Sequence, residues 1–283
     1  MRILLTGGSG DLGTALAPLL TQHGHQVSIL DPISPTFDCH DYHPGSVLDL
    51  ESLLMVSAGI DVVIHIAAWH GIHEASQLKT QQEFWTLNVM GTKRVSEIWA
   101  AGVFPSLIHI SSSSVFKTTG YYGFTKRLAE QIITNTAKTH GLQSITLRPR
   151  GFIPPWNREV YASFTEWARY FWQGAVHIQD MVPAVQKALS SLASVEPGSN
   201  PRLIVDRYAE FSQDELDNWD KHGPGTSFSE KFPEYAFVAD MAELPIQLKP
   251  KTYDISETHD LLGYEPQYSL ERMLEELREV IAS

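Results

Sequence analysis

The sequence has a single cysteine, Cys39, among its 283 residues, so it cannot form an internal disulfide bond. Nothing in it therefore requires an oxidising compartment. It also lacks any apolar run near the roughly 20 residues that cross a membrane as a helix. The apolar segment at 1–6 is too short for a signal peptide. From these absences we expect a cytoplasmic protein that does not enter a membrane.

Positive charge is scarce as well. The chain has 21 Lys and Arg against 33 Asp and Glu, which gives a formal net charge of −12. Such a chain repels nucleic-acid backbones and anionic lipids unless a local basic patch opposes the effect, and the sequence has no such patch. With 43% hydrophobic and 19% charged residues, it is a globular chain long enough to bury a large core. We expect a small-molecule substrate rather than a nucleic acid or a membrane.

Strand-like and helical patterns alternate over the first half of the chain. Helical patterns, among them 84–100 and 122–140, separate apolar runs that we predict as strands, at 2–6, 26–30, 61–68, 106–110 and 144–148. The run at 61–68, DVVIHIAA, is typical of a parallel strand covered on both faces. The alternation predicts an α/β fold, a Rossmann-type doubly wound parallel sheet with right-handed crossovers.

A glycine-rich sequence, TGGSGDLG at 6–13, lies between the first predicted strand and the first predicted helix. Gly7 permits a tight turn, Gly10 lets the backbone approach a phosphate, and Gly13 allows close contact between helix and sheet. A pyrophosphate at this place would lie at a helix N-terminus. The alternative is a glycine-rich turn without a ligand, but the position between strand and helix favours dinucleotide binding.

An acidic residue, Asp31, ends the second predicted strand. A carboxylate there can accept hydrogen bonds from the ribose hydroxyls of the cofactor, and it would repel a 2′-phosphate. NAD is therefore favoured over NADP. The alternative is an aspartate that ends a strand in the turn before Pro32.

The alternation of strands and helices stops after Pro149. Prolines at 149, 154 and 155 are followed by aromatic residues at helical spacing, for which packing against the sheet domain is the default expectation. A helix at 182–193 and a strand at 202–205 predict a return to the sheet. We therefore expect a dinucleotide-binding domain at 1–150 with a return segment at 175–206, and a smaller C-terminal substrate lobe over most of 151–283.

A phenol and an ammonium group, Tyr122 and Lys126, lie four residues apart and so share one face of a predicted helix. A phenol has a reference pKa of about 10, and a neighbouring cation lowers that pKa. The serine run at 111–114 ends the preceding strand at its carboxyl edge, where a hydroxyl can orient a substrate oxygen. Together with the glycine loop, this order predicts an acid/base site.

These segments resemble the extended short-chain dehydrogenase/reductase superfamily, of the NAD-dependent epimerase/dehydratase type. The resemblance rests on Asp31 and on the motifs TGGSGDLG (6–13), DVVIHIAA (61–68), NVMGT (88–92), ISSSSVF (110–116), YGFTK (122–126), LRP (147–149) and LLGYEPQYSLERMLEEL (261–277). It implies that Tyr122 is the acid/base, that Lys126 is its electrostatic partner and a ribose ligand, and that Ser112 orients the substrate hydroxyl, with Ser113 as the alternative. It also implies a homodimer formed through two helices of the sheet domain.

The loop chemistry and the resemblance together define an expected NAD site. The expected cofactor contacts are Gly7, Ser9, Gly10, Asp11, Leu12, Gly13, Asp31, Val47, Ala67, Ala68, Asn88, Tyr122 and Lys126. The expected substrate contacts are Trp69, Ser113 and Arg150, although Arg148 and Arg150 could equally serve the structure. No metal is expected, because His70 and His73 lack a third ligand nearby. His65 and His109 are expected to be core residues with satisfied hydrogen bonds.

Four features depart from the family pattern. Only ten residues separate Ser112 from Tyr122, where the family usually has a longer substrate-facing loop. Ser113 and Ser114 stand where dehydratases carry Asp-Glu, which disfavours elimination of water. Gly151 stands where nucleotide-sugar enzymes often have Asn, which disfavours a nucleotide-sugar substrate. At Ser46-Val47 the family often has Asp beside an apolar residue, and the change weakens the expected contact with adenine.

We therefore expect an NAD-dependent oxidoreductase or epimerase that moves a hydride at a hydroxyl-bearing carbon of a sugar-like or other small hydroxy substrate. If the ketone stays bound and the hydride returns to its other face, the result is epimerisation; if the ketone leaves, it is dehydrogenation. The alternative is a non-catalytic NAD(P)-binding sensor or scaffold of the same fold, which the short loop supports. The joint presence of Ser112, Tyr122 and Lys126 favours the enzyme.

Overall fold

The computed structural model describes residues 1–282, and a parallel sheet of seven strands lies at its centre. The strands are β1 (Arg2–Thr6), β2 (Gln26–Asp31), β3 (Asp41–Pro44), β4 (Val62–His65), β5 (Ser106–Ile110), β6 (Gln143–Pro149) and β7 (Arg202–Val205). Their order across the sheet is β3-β2-β1-β4-β5-β6-β7, and every neighbouring pair is parallel. The strand order reverses between β1 and β4, which is where a doubly wound sheet binds its ligand. The predicted fold class is confirmed.

Helices cover both faces of the sheet and build a separate lobe. They are α1 (Asp11–Gln22), α2 (Leu50–Ser57), α3 (Gly71–Ala75), α4 (Gln81–Phe84), α5 (Thr92–Ala100), α6 (Tyr121–His140), α7 (Phe164–Gly174), α8 (Ile178–Ser191), α9 (Gln213–Asp217), α10 (Thr226–Lys231), α11 (Ala236–Met241), α12 (Ser256–Leu262) and α13 (Leu270–Ala282). A π-helical segment, Trp85–Gly91, joins α4 to α5, and a 3-10 turn, Ser113–Phe116, precedes α6.

Successive residues of a strand place their side chains on opposite faces of the sheet. Ile3 and Leu5 of β1 belong to the apolar cluster that includes α1 and α8, whereas Leu4 belongs to the cluster formed with α2, α5 and α6. This alternation is a consequence of the two-residue repeat of a strand. Both faces are thus fully covered, as the apolar runs of the parallel strands require.

The C-terminal lobe has an apolar core of its own. Trp167 and Phe171 of α7 pack with Met273 and Leu277 of α13 in a cluster separate from the two sheet clusters. The expectation that this aromatic series packs against the sheet domain is therefore wrong. The reason is that the apolar face of α7 is matched by an equally apolar face of α13, which the chain supplies about a hundred residues later.

The return segment joins the sheet. Strand β7 pairs with β6, and α8 packs beside α1 on one face. The division of the chain near residue 150 stays a prediction. These contacts show that residues on both sides of this point contribute to the same sheet.

Several elements differ from those predicted. Strand β3 and helix α2 were not predicted, and the predicted helix at 84–100 is divided by the π-helical segment. The predicted strand at 61–68 ends at His65, because the amides of Ile66 and Ala67 both donate to the oxygen of Thr6 and turn the chain away from the ladder. Residues 66–68 therefore begin a loop above the end of the sheet.

Candidate active site

Gly7, Gly10 and Gly13 of the glycine loop differ in what lies beside each Cα. Gly7 has φ +71°, and a Cβ there would lie 2.6 Å from Ala67 Cα. A Cβ on Gly10 would meet only the oxygen of Gly7, at 3.6 Å, so this side of the loop is open. A Cβ on Gly13 would lie 1.9 Å from the oxygen of Gly8. Gly13 therefore lets α1 pack against the turn itself, and not against the sheet as we expected.

The first turn of α1 carries the next two predicted cofactor residues, Asp11 and Leu12. Gly10 is the N-cap and has no side chain, so the first backbone amides of the helix are available for an anion. The side chain of Leu12 is buried in the core, so only its backbone can contact a cofactor. The carboxylate of Asp11 accepts hydrogen bonds from Asn157 Nδ2 at 2.9 and 3.2 Å, and burial raises its pKa.

Asp31 lies beside this loop at the end of β2. Its two carboxylate oxygens accept hydrogen bonds from the amides of Ser9, at 3.1 Å, and Ile33, at 2.9 Å. The hydroxyl of Ser9 donates to the oxygen of Ile33 at 2.6 Å. Each carboxylate oxygen keeps a lone pair that a ribose hydroxyl can use. The open side of Gly10, the uncapped helix and this carboxylate together fit a dinucleotide.

The remaining cofactor residues of the predicted set follow strands or lie in the core. Ala67 and Ala68 follow β4, and Ala67 adjoins Gly7. Val47 is buried, and a Cβ on Gly91 would approach its Cγ2 to 2.8 Å. Their contacts with the cofactor stay predictions.

The structure brings together the three residues predicted to act on the substrate. Ser112 lies close enough to Tyr122 to favour the charged form of its phenol, and Ser112 Oγ accepts a hydrogen bond from the amide of Ser114 at 3.1 Å. Lys126 is buried one turn further along α6, and its Nζ donates to the oxygen of Ile110 at 2.7 Å.

The electrostatics of Tyr122 differ from the expectation. Burial raises the pKa of Tyr122 to about 12, although the hydrogen bond with Ser112 opposes the shift. Burial lowers the pKa of Lys126 to about 8, against the opposing effect of Glu130. The expectation that Lys126 lowers the pKa of Tyr122 is wrong for the protein's own residues. The ammonium group is bound to Ile110, and desolvation of the phenol dominates.

The short connection between Ser112 and Tyr122 is an ordered turn. Val115 of the 3-10 turn is buried, and Arg127 of α6 donates to the oxygens of Val115 at 2.9 Å and Lys117 at 2.7 Å. A Cβ on Gly123 would lie 2.2 Å from the oxygen of Ser114. A glycine between Tyr122 and Lys126 thus lets α6 approach the turn closely enough for the two hydroxyls to meet. Ser113 lies half-buried in the same turn.

Beneath the site, α6 contributes a buried ion pair. Glu130 accepts hydrogen bonds from Arg148 Nε at 2.9 Å and Nη2 at 2.6 Å, and from the hydroxyl of Ser111 at 2.5 Å. This bidentate geometry is the strong form of the interaction. The guanidinium of Arg148 is therefore paired within the protein, which agrees with the alternative that Arg148 serves the structure.

The family follows from comparison with known proteins. The sequence model described as the NAD dependent epimerase/dehydratase family matches residues 3–199. The chain belongs to this family. The resemblance predicted from the motifs is confirmed, and the cofactor of this NAD dependent epimerase/dehydratase is NAD, which the glycine loop and Asp31 fit.

Relatives within and around the family differ in substrate. The chain is similar to the UDP-glucose 4-epimerase of Corynebacterium glutamicum, with 27% identity over 168 residues that cover 52% of this chain and 50% of that protein. It is similar to the 3-beta-hydroxysteroid dehydrogenase of Mycolicibacterium neoaurum, with 26% identity over 56% of this chain and 48% of that protein. The chain thus spans about half the length of the curated relatives it matches. The fold is similar to that of MoeE5 in complex with UDP-glucose and NAD, with a TM-score of 0.70, 20% identity, and coverage of 99% and 100%.

One predicted cofactor residue of this epimerase/dehydratase, Asn88, is hydrogen-bonded to other residues of the protein. Asn88 lies in the π-helical segment with 1% of its surface exposed. Its Oδ1 accepts a hydrogen bond from the amide of Trp69 at 2.8 Å. Its Nδ2 donates to the oxygen of Trp69 at 3.1 Å and to the hydroxyl of Thr125 at 3.2 Å. Protein groups thus use both ends of its amide, and the expected contact of Asn88 with the cofactor stays a prediction.

One predicted substrate residue is also engaged elsewhere. Arg150 is buried, forms an ion pair with Asp206 at 3.4 Å, and donates to the oxygen of Lys251. Its guanidinium lies 5.2 Å from the ring centre of Tyr253. Since its charge is balanced within the protein, Arg150 fits the alternative that it serves the structure, and its expected contact with a substrate anion stays a prediction.

The other predicted substrate residue, Trp69, lies in the loop after β4. It is half-buried, and Lys79 Nζ lies 4.1 Å from its ring centre. In the next residues of this loop, a Cβ on Gly71 would lie 3.2 Å from Cδ1 of Tyr122. The Trp69 loop therefore contacts the ring of the predicted acid/base, and a substrate contact by Trp69 stays a prediction.

The core histidines differ from each other. His65 is hydrogen-bonded to Thr6 Oγ1 at 2.7 Å and to Thr92 Oγ1 at 3.0 Å, as expected. His109 stacks on His65 with ring centres 5.8 Å apart, and within residues 1–282 neither of its ring nitrogens has a hydrogen-bond partner. The expectation of a satisfied residue is therefore wrong for His109. Among the described residues, no group of three or more metal-ligating side chains is positioned to hold a metal.

Sequence reasoning missed Glu74. Its carboxylate accepts hydrogen bonds from the amides of Tyr121 and Tyr122 at the start of α6. The only sequence signal was the lack of a capping residue at Gly120. In the part of the chain that the structure describes, no helix is both long and apolar enough to cross a membrane.

Proposed function

We propose that the protein transfers a hydride between NAD and a hydroxyl-bearing carbon of a small substrate, with Tyr122 as the acid/base. The observation that carries this proposal is the position of Ser112 beside Tyr122, close enough to lower the pKa of the phenol, with Lys126 one turn away on the same helix. A connection of only ten residues, built around Gly123, supports the juxtaposition. A protein that only bound the cofactor would not need this pair of hydroxyls.

Each residue has a separate task in this proposal. NAD, when bound, supplies the acceptor for the hydride. Tyr122 in its phenolate form takes the proton from the substrate hydroxyl and becomes the neutral phenol, and Ser112 forms a hydrogen bond to the same substrate oxygen. Lys126 keeps a positive charge close to the cofactor side of α6 while its pKa of about 8 leaves it mostly protonated near neutral pH.

The proposed substrate is a small hydroxy compound, sugar-like or otherwise. The names of the relatives include a UDP-glucose epimerase and a hydroxysteroid dehydrogenase, so the similarity itself does not select a sugar nucleotide. The ion pairs of Arg148 with Glu130 and Arg150 with Asp206 disfavour recognition of a diphosphate by these two arginines. The absence of an asparagine at Gly151 agrees with this.

A panel assay tests the proposal. Free sugars, uronates, hydroxy acids, hydroxysteroids and UDP-sugars are each incubated with the protein and NAD, and two products are followed: reduced nicotinamide, and recovered substrate with an inverted stereocentre. We expect turnover of at least one class, and its loss in Tyr122→Phe without loss of NAD affinity. Turnover by Tyr122→Phe at the wild-type rate would overturn the assignment of the acid/base.

A second candidate is an NAD-binding sensor or scaffold without turnover. The raised pKa of Tyr122 favours it, because a phenol with a pKa of about 12 is a poor base near neutral pH. Tight NAD binding with no turnover across the panel would support this candidate. The homodimer implied by the family resemblance stays a prediction, which sedimentation velocity checks.

A further inference from the structure

We propose that Glu74 positions Tyr122 by holding the first backbone amides of α6; its catalytic meaning rests on the proposed function. Glu74 lies in α3, in the loop region after β4. The amide of Tyr121 donates to Glu74 Oε1, and the amide of Tyr122 donates to Oε2 at 3.2 Å. One carboxylate therefore accepts both hydrogen bonds at the point where the predicted acid/base enters its helix.

Helix α6 needs this acceptor because its own segment supplies none. Its N-cap is Gly120, with φ +98°, and no side chain of the preceding segment caps the helix within the described residues. The first amides of a helix have no partner within the helix, and Ser, Thr, Asp or Asn usually provides one. A carboxylate also suits the positive end of the helix dipole. Because the short connection from Ser112 contains no capping side chain, Glu74, which is distant in the sequence, caps α6 instead.

The same short helix also contacts the phenol ring. Gly71 begins α3, and a Cβ there would lie 3.2 Å from Cδ1 of Tyr122. Helix α3 therefore contacts Tyr122 at two points, its backbone amide through Glu74 and its ring through Gly71. A shift of α3 would change both the start of α6 and the direction of the ring.

Helix α3 is itself tied back to α6. Asn88 is hydrogen-bonded to the backbone of Trp69, just before α3, and to the hydroxyl of Thr125. Thr125 in turn donates to the oxygen of Tyr122 at 2.9 Å. The covalent chain leads from Glu74 back to Trp69, and the hydrogen bonds of Asn88 and Thr125 lead from Trp69 back to α6. This closed set of contacts limits the positions that Tyr122 can take.

Glu74 contacts neither the phenol oxygen nor Ser112 through any described hydrogen bond, so it is a positioning residue. Its effect on the reaction is to keep the Tyr122 hydroxyl within hydrogen-bonding distance of Ser112 and the substrate oxygen. A displacement of about 1 Å in a catalytic group can reduce the rate by about a hundredfold. Loss of Glu74 should therefore reduce kcat far more than it weakens the binding of substrate or NAD.

The test uses Glu74→Ala, Glu74→Gln and a matched control. The control is Glu215→Ala, because Glu215 caps α9 in the C-terminal lobe by accepting a hydrogen bond from the amide of Ser212 at 2.7 Å. We expect Glu74→Ala to lower kcat by about 10- to 100-fold, while KM and the Kd for NAD change by less than about twofold. Glu74→Gln keeps one acceptor oxygen but turns an NH2 donor toward the other backbone amide, so it should recover only part of kcat. Glu215→Ala should leave kcat unchanged.

Amide hydrogen exchange gives a readout that does not depend on turnover. In Glu74→Ala the amides at the start of α6 should exchange at least about tenfold faster, and in Glu215→Ala they should not. Wild-type exchange in Glu74→Ala would overturn the inference. A wild-type kcat in Glu74→Ala, together with an inactive Tyr122→Phe, would also overturn the inference. That result would leave the proposed function in place. If Tyr122→Phe is fully active, the proposed function fails instead, whatever the exchange data show.

Discussion

At the scale of single residues, burial determines the chemistry of the site. Tyr122 is half-buried and Lys126 is buried, and desolvation shifts each pKa toward the neutral form, to about 12 and about 8. The hydrogen bond from Ser112 favours the phenolate but does not outweigh desolvation. Near neutral pH Tyr122 is therefore mostly a neutral phenol. In the proposed reaction this form suits the donation of a proton to a ketone, whereas the oxidation of an alcohol needs the scarce phenolate.

The direction of these shifts predicts the pH dependence of alcohol oxidation. The phenolate fraction increases with pH while the pH stays below the pKa of Tyr122, so kcat/KM should rise by about tenfold per pH unit between about pH 6 and 8. Above about pH 8 the slope should decrease, because Lys126 loses its proton and its charge. Steady-state rates across a buffer series measure this profile. A flat profile in the wild-type enzyme would contradict it.

At the scale of elements, the turn at Ser113–Phe116 and helix α6 act as one unit. Gly123 faces the oxygen of Ser114, and Arg127 donates to Val115 and Lys117, so the two elements share a tight interface. This interface replaces the longer loop that the family usually has. The shortened connection is thus compatible with a close approach of Ser112 to Tyr122.

This interface predicts a large effect for a small substitution. Gly123→Ala should lower the free energy of unfolding by about 1 to 3 kcal/mol, because the new Cβ would lie 2.2 Å from a backbone oxygen. The loss would occur although alanine favours a helix over glycine by about 1 kcal/mol. Thermal unfolding measures the effect, and Thr136→Ala on the same helix is the control. Unchanged stability in Gly123→Ala would show that α6 can move away from the turn.

The elements that sequence predicted best are those with strong local patterns. Apolar runs identified β1, β5 and β7, and the spacing of Tyr122 and Lys126 placed both on one helix. Strand β3 was missed because it is a short edge strand, DYHP, with exposed and half-buried residues rather than an apolar run. The π-helical segment was missed because the apolar pattern of the helix continues through it. The change from i→i+4 to i→i+5 hydrogen bonds is not visible in that pattern.

The partners of charged residues could not be predicted, for a different reason. Arg150 and Asp206 lie 56 residues apart in the sequence, and Glu74 lies 47 residues from Tyr121. Each pair meets only because parallel strands bring their carboxyl ends to the same edge of the sheet. Residue types at the site can therefore be predicted from local motifs, whereas the group that neutralises or orients each of them depends on the tertiary fold.

At the scale of the whole molecule, the glycine loop is linked to the C-terminal lobe. Asn157 donates to both carboxylate oxygens of Asp11, which lies 146 residues earlier in the chain. The pKa of Asp11 is raised by burial and lowered by this hydrogen bond. Asn157 thus stabilises a negative charge next to the helix terminus that we expect to receive the cofactor's pyrophosphate.

This link predicts how the lobe affects cofactor binding. In Asn157→Ala the Asp11 side chain loses the hydrogen bonds that hold it to the lobe, so the first turn of α1 is less well ordered and the Kd for NAD should increase by about three- to tenfold. Asp11→Ala removes the same contact from the other side and should weaken binding by a similar factor, and the double variant should bind no more weakly than either single variant. Calorimetric titration with NAD measures all three. Additive weakening in the double variant would show that the contact between the two residues is not the cause.

The path of the chain after β6 determines which pieces of the protein can exist alone. Strand β7 and α8 come from the far side of residue 150, yet they cover the last strand of the first half and one face of its sheet. A fragment cut at that point would keep the glycine loop and Tyr122 but would expose the backbone edge of β6 and the apolar surface beneath α8. Such an edge pairs readily with other chains, so the severed half would aggregate rather than survive as an independent nucleotide-binding module.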